Sequence, residues 1–148
     1  MLPVSERKLV RMLSEKAAVP GPAKGTLLCI DDALPILEIL IQLLGKCGYS
    51  VLTSPSAKHG LMLFEITDVD IVILDYDMPE MSGYEVALVM KRTKPAVPII
   101  MHSGSADIPE KTFEVVDAIV PKGTNLQPLI SQLAGIMSAS RKLPKMVF

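Results

Sequence analysis

The sequence predicts a doubly wound α/β domain, a five-stranded parallel sheet with helices on both faces. Short apolar, strand-like runs begin near Thr26, Tyr49, Asp70, Val97 and Ala118, at intervals of 23, 21, 27 and 21 residues. A stretch with helical apolar spacing follows each run, and strand–helix alternation of this kind implies a parallel sheet. The runs Leu27 to Ile30, Ile71 to Leu74 and Ile99 to Met101 are continuous rather than alternating. Such strands are buried on both faces, with helices covering each side.

The elements follow in order. Ser5 to Lys16 sets Leu9, Met12, Leu13 and Lys16 at helical spacing. A helix of about three turns is marginal unless it docks on something. Val19 to Gly25 is rich in Pro and Gly and reads as a linker. In the first helix of the body, Leu34, Leu37, Ile41 and Leu44 form one stripe, Pro35 suits the first turn and Gly48 lies just past the end. The last helix runs from about Asn125, with Leu129, Leu133 and Ile136 on one stripe and Pro128 confined to its first turn. The organisation is thus an extension and linker over residues 1–25, a domain over 26–140, and a tail over 141–148 too short for an output domain.

Composition narrows the function. The chain has 148 residues, 49% of them apolar, enough for one domain with a proper core. Aromatics are 4% with no Trp, which argues against a stacking platform for single-stranded nucleic acid. Net charge is −1, so no global basic field exists to hold a polyanion. The ends are basic and the body acidic, which suggests a cation site in the body. Cys29 and Cys47 do not make a disulfide framework and read as reduced thiols. No apolar run approaches 18 residues and the N-terminus has no continuous apolar core, so neither a membrane span nor a secretory leader is expected. A cytoplasmic location follows as the expectation.

The polar residues that interrupt the apolar runs fall at strand ends. Asp31 and Asp32 end the first strand, Asp75 the third with Asp77 two residues on, Ser103 the fourth and Lys122 the fifth. In a doubly wound sheet, ligands bind outside the carboxyl ends of the strands at the topological switch point. With strand order 2-1-3-4-5 that crevice lies between strands 1 and 3, the two that end in aspartates. Clustered carboxylates repel one another, and some would be driven protonated unless a cation neutralised them. Hard oxygen donors suit Mg²⁺ better than zinc. Carboxylates, a hard cation, an amine and a hydroxyl together describe phosphoryl transfer to or from an aspartate. Taken singly, Asp31-Asp32 reads equally well as a helix cap, Lys122 as a surface lysine and Ser103 as a capping serine. His102 points away from Ser103 and reads as structural, and His59 reads as a surface helix residue.

Four segments in this order strongly resemble the CheY-like receiver domain of bacterial response regulators. They are Ile30-Asp31-Asp32, Ile73 to Gly83 with its Asp-Tyr-Asp-Met-Pro-Glu-Met-Ser-Gly, Pro98 to Ser103, and Val120-Pro121-Lys122. The resemblance covers about Thr26 to Ser140 and implies a flavodoxin-like, three-layer α/β/α fold of order 2-1-3-4-5. It also implies roles. Asp75 is then the phosphoacceptor, Asp32 and Asp31 the metal ligands with Asp75, and Asp77 the residue whose backbone carbonyl completes a Mg²⁺ (or Mn²⁺) site. Ser103 would move to the phosphoryl oxygen and Lys122 would pair with the acceptor. The chain would not be a turnover enzyme; phosphotransfer and autodephosphorylation would be self-catalysed. The donor would be a sensor histidine kinase or phosphotransfer protein. The signal would leave by protein–protein contact with a downstream protein target, without direct nucleic-acid or membrane binding. The chain would act as a monomer or weak homodimer through the helix 4–strand 5–helix 5 face.

Three departures bear on output. Ile119 stands where many relatives have Tyr or Phe, Gly123 follows Lys122 where many have Pro, and Pro121 restricts Val120 to an extended conformation. Two alternatives remain. One is a receiver-like binding module that takes no phosphate. The other is a haloacid-dehalogenase-like phosphatase, suggested by Asp75-Tyr76-Asp77 although that family usually carries the motif on its first strand. Labelling by acetyl phosphate with Mg²⁺ separates the first, and steady turnover of a phosphomonoester the second.

Overall fold

The computed structural model describes residues 24–142. The expected Ser5–Lys16 helix, nearly all of the linker and residues 143–148 lie outside the described residues. The chain runs β1 (Thr26–Ile30), α1 (Leu34–Lys46), β2 (Ser50–Ser54), α2 (Ala57–Ile66), β3 (Ile71–Leu74), α3 (Gly83–Thr93), β4 (Ile99–Ser103), a 3₁₀ turn (Glu110–Glu114), β5 (Ala118–Pro121) and α4 (Gln127–Lys142). All strand pairs are parallel, in the expected order β2-β1-β3-β4-β5. The switch point accordingly falls between β1 and β3, with Ile30 opposite Leu74.

Alternation along the strands sorts the core into two layers. Leu27 and Cys29 of β1, with Ile71, Ile73, Ile100 and Val120, face α1 and α4. Leu28 and Ile30, with Val72, Leu74, Ile99 and Met101, face α2 and α3. Both sides of β1, β3 and β4 are therefore buried, which is why their sequences run without polar interruption. Complete burial of a Leu, Ile or Phe stabilises by about 1.5–3 kcal/mol, and Phe64, Leu44 and Met90 are each at most 1% exposed.

Local signals fix the helix ends. Pro35 lies in the first turn of α1, where its missing N–H costs nothing. Gly48 follows the helix with φ +101°, a conformation that glycine adopts without strain. Ser56 Oγ accepts from His59 N at 3.1 Å at the start of α2. At α3, Ser82 Oγ accepts from Glu85 N (3.2 Å) and Glu85 Oε2 accepts from Ser82 N (3.0 Å), a reciprocal capping box.

Two sequence expectations are corrected. Leu34 is 59% exposed; the buried stripe of α1 is Leu37, Leu40 and Leu44, because Leu34 opens the helix above the sheet's carboxyl edge. The helix expected after β4 is only the 3₁₀ turn Glu110–Glu114. Gly104 and Pro109 interrupt this crossover, and Thr112, Val115 and Val116 are β-branched, which lowers helix propensity. The face expected from a fourth helix, fifth strand and fifth helix is thus built from a single turn, β5 and α4.

Candidate functional site

The loops at the carboxyl ends of β1, β3, β4 and β5 bring the predicted residues together. Asp31 follows β1 and is 3% exposed; Asp75 follows β3 and is 4% exposed. Their backbones are stapled to the sheet, Asp75 N donating to Ile30 O (2.9 Å) and Asp31 N to Ser54 O (3.1 Å). Carboxylate oxygens of Asp31, Asp32 and Asp75 all lie within 4.8 Å of one another. Asp32 is the exposed member. Lys122 enters from beyond β5, its backbone N donating to Ser103 O at 2.8 Å. Its Nζ reaches Asp31 Oδ2 at 2.7 Å and Asp75 Oδ1 at 3.2 Å.

Asp31 does two jobs. Oδ2 pairs with Lys122, while Oδ1 accepts from Ala33 N at 2.9 Å and turns the chain into α1. The helix-cap expectation is corrected: Ala33 is the N-cap of α1 and no side chain caps it, so Asp31 holds the turn before the helix rather than the helix end. Ser103 is 2% exposed and its Oγ accepts from Ser105 N at 3.0 Å. The capping-serine reading of Ser103 is close to this contact: its hydroxyl accepts from a backbone N–H two residues on, in a turn rather than at a helix end. Gly83, the last residue of the Ile73 to Gly83 segment, is required sterically. Its N donates to Tyr76 O at 2.8 Å. A Cβ there would overlap the Asp75 carbonyl oxygen and stand 2.8 Å from Tyr76 Cα. Asp77 is exposed and its carboxylate lies outside the cluster. The paired-aspartate arrangement of a haloacid-dehalogenase-like phosphatase is therefore not assembled by Asp75 and Asp77 side chains.

The electrostatics follow from burial. Desolvation first, then the neighbouring Asp31 charge, raises the Asp75 carboxyl to about 6, with Lys122 pulling the other way and Asp32 adding to the rise. For Lys122, burial disfavours the ammonium, but the hydrogen bonds and charges of Asp31 and Asp75 outweigh it and hold the group above its ordinary value. His102 is 3% exposed, its Nδ1 has no partner, and burial and the Lys122 charge depress it below 6.5 despite Asp31. One lysine for two buried carboxylates leaves negative charge uncompensated. Three hard oxygen donors at that point fit a hard divalent cation. Cys29 and Cys47 are free thiols, and burial followed by the Asp31 charge pushes Cys29 up to about 12, so it is inert. Ile119 is half-buried against the layer under α2 and α3, opposite Met101.

A doubly wound sheet of order 2-1-3-4-5, with a buried aspartate, an acidic pair and a lysine at its switch point, defines a flavodoxin-like domain of the CheY-like class. Residues 27–132 match the family model described as "Response regulator receiver domain", and the chain belongs to that family. It is 30% identical over 117 residues to the cell cycle response regulator CtrA of Brucella ovis, covering 77% of this chain and 50% of that protein. The chain spans about half the length of the curated relatives it matches. Among solved structures, a CheY-like receiver domain protein from Methanospirillum hungatei superposes with TM-score 0.75 at 26% identity, over 80% of this chain and 97% of that one. The response regulator TrrA from Thermotoga maritima, crystallised in complex with Mg²⁺-BeF, gives 0.73 at 28% over 76% and 98%. TrrA in complex with the histidine kinase ThkA gives 0.71 at 29% over 76% and 97%. No helix among the described residues is long and apolar enough to cross a membrane.

Proposed function

We propose that residues 26–140 form a receiver that accepts a phosphoryl group on Asp75 from a phosphohistidine of a sensor histidine kinase or phosphotransfer protein. The observation that carries this reading is the shared Lys122: one ammonium within 3.2 Å of Asp75 and 2.7 Å of Asp31, at the switch point. In the transfer, an Asp75 carboxylate oxygen forms a bond to phosphorus as the P–N bond to the donor imidazole breaks, and the electron pair leaves with that ring. Mg²⁺ or Mn²⁺, held by Asp31, Asp32, Asp75 and the Asp77 backbone carbonyl, would neutralise phosphoryl oxygens. Lys122 supplies the cation that the incoming charge of roughly −1.5 to −2 requires. Ser103 accepts from Ser105 N through its oxygen, so its own proton remains available to a phosphoryl oxygen. The product signals to a partner protein by contact, acting as a monomer or weak homodimer and without direct nucleic-acid binding.

The test is phosphotransfer from acetyl phosphate with Mg²⁺, followed by intact mass. One labile phosphoryl group is expected on the wild type and none on Asp75→Asn. Asp32→Asn should weaken Mg²⁺ binding sharply. A stable phosphate on Ser103 or Ser105 overturns the mechanism, and an unlabelled wild type favours the phosphate-independent binding module.

A further inference from the structure

Among the surface features of the described residues that the aspartate site leaves unused, one is mainly apolar and flanked by exposed apolar side chains. An apolar groove of about 370 Å³ lies between α2 and α3, with Leu61, Met62, Met81 and Val89 in its wall and Glu65 and Glu80 at its rim. Met62 is 55% and Val89 37% exposed, and Ile66, one turn beyond Met62 on the same face of α2, is 75% exposed. Single exposed apolar residues are ordinary, but a contiguous set along a groove marks a docking surface.

Chain geometry and charge indicate what covers it. Lys24 N donates to Gly48 O (2.8 Å), Asp70 N to Thr26 O (2.8 Å) and Thr26 N to Asp70 Oδ2 (2.7 Å). The chain before residue 24 therefore meets the fold between Gly48, just past α1, and Asp70, four residues past Ile66 at the end of α2. Residues 17–23 reach at most about 25 Å when extended, and Ile66 to Asp70 spans at most about 14 Å. The segment 5–16 can thus reach the groove. It carries Arg7, Lys8, Arg11 and Lys16 against Glu6 and Glu15, with Leu9, Met12 and Leu13 at helical spacing. The receiving side is acidic: Glu65, Asp68 and Glu80 are exposed there. The cation at this end, Lys94, is occupied with Phe64 O (2.7 Å) and Thr67 O (3.1 Å). Lys58 also lines the groove, one cation against Glu65 and Glu80 there. The competing surface near the same exit, Ile39 and Leu43 of α1, ends in Lys46, the wrong sign for a basic segment.

We propose that residues 5–16 seat the Leu9–Met12–Leu13 stripe in the α2–α3 groove of their own chain, over Met62, Ile66 and Val89, with their basic side chains toward Glu65, Asp68 and Glu80. This docking stands independently of the phosphoacceptor reading. Because Glu80 and Met81 belong to the loop that follows Asp75, it places the extension against the segment nearest the acceptor.

Amide NMR on the full chain tests it. The double variant Leu9→Asp/Leu13→Asp should displace the resonances of residues 58–66 and 85–93 and leave 34–46 in place. Reciprocally, Ile66→Asp should displace the resonances of residues 5–16 and abolish their protection from hydrogen exchange. Raising ionic strength to about 1 M, where the Debye length is about 3 Å, should reproduce part of the displacement. Unmoved 58–66 resonances in the double variant overturn the proposal, as do shifts confined to 34–46. Effects that vanish on dilution overturn it too, by showing that the groove takes a second copy.

Discussion

Lys122 lies closer to Asp31 than to the proposed acceptor: its Nζ is 2.7 Å from Asp31 Oδ2 and 3.2 Å from Asp75 Oδ1. The shorter bond goes to the carboxylate that also turns the chain into α1, so the lysine is anchored on a fixed group. Asp75 receives the weaker share and keeps a raised pKa of about 6. The resting site thus holds its acceptor under-neutralised.

Lys122→Met removes a cation that competes for the same oxygens. Mg²⁺ affinity of the unphosphorylated protein is expected to rise several-fold by titration calorimetry, while phosphorylation of Asp75 is impaired. Weaker Mg²⁺ binding in this variant contradicts the assignment of Lys122 as the competing charge.

Stability without metal should carry the sign of Asp75. Its folded value of about 6 exceeds its ordinary 3.8, so the folded state binds the proton more tightly. Stability contributed by Asp75 is full below 3.8 and lost as pH rises through about 6. His102, depressed below 6.5, acts oppositely, losing stability as pH falls through its own range. The difference between wild type and Asp75→Asn cancels the histidine contribution. At pH 7 without Mg²⁺, Asp75→Asn is expected to be more stable by on the order of 1–3 kcal/mol in urea denaturation. Parallel pH–stability curves for the two proteins would show that Asp75 is not strained, and saturating Mg²⁺ should shrink the gap.

Gly83→Ala drives a methyl into the Asp75 carbonyl oxygen and Tyr76 Cα. Neither is a flexible side-chain tip, so α3 must shift. A loss of about 1–3 kcal/mol is expected, with reduced Mg²⁺ affinity. Ser82→Ala, which removes the cap of the same helix, should cost about 1 kcal/mol and leave the metal site intact. Equal effects of both variants on Mg²⁺ would mean that Gly83 acts only through helix stability.

A beryllofluoride mimic should move Ser103 and the 104–109 loop, breaking the 3.0 Å contact between Ser105 N and Ser103 Oγ. Ile119 is β-branched and stiff at its first torsion, and it should keep its rotamer. Structures with and without the mimic decide this; a rotamer change at Ile119 beside a stationary loop refutes it.

The sequence by itself determined the architecture and which polar residues end the strands at the sheet's carboxyl edge. Continuous apolar runs at β1, β3 and β4 demand helices on both faces, and parallel connectivity places every polar strand end on one edge. Asp31, Asp32, Asp75, Ser103 and Lys122 were legible there because each terminates an apolar run. Tertiary structure decided what depends on distances between residues far apart in the chain. Among these are Lys122's preference for Asp31, the double use of Asp31's two oxygens, and the need for glycine at 83. The fourth crossover belongs with them. Its apolar Ile108, Val115 and Val116 suggest a helix, yet Thr112 is fully buried with its hydroxyl unpartnered. The β-branched Thr112, Val115 and Val116 already weaken a helix there, and packing against the layer under α2 and α3 decides the outcome, because propensity differences of under about 1 kcal/mol per residue are smaller than the burial of Val116 and its neighbours.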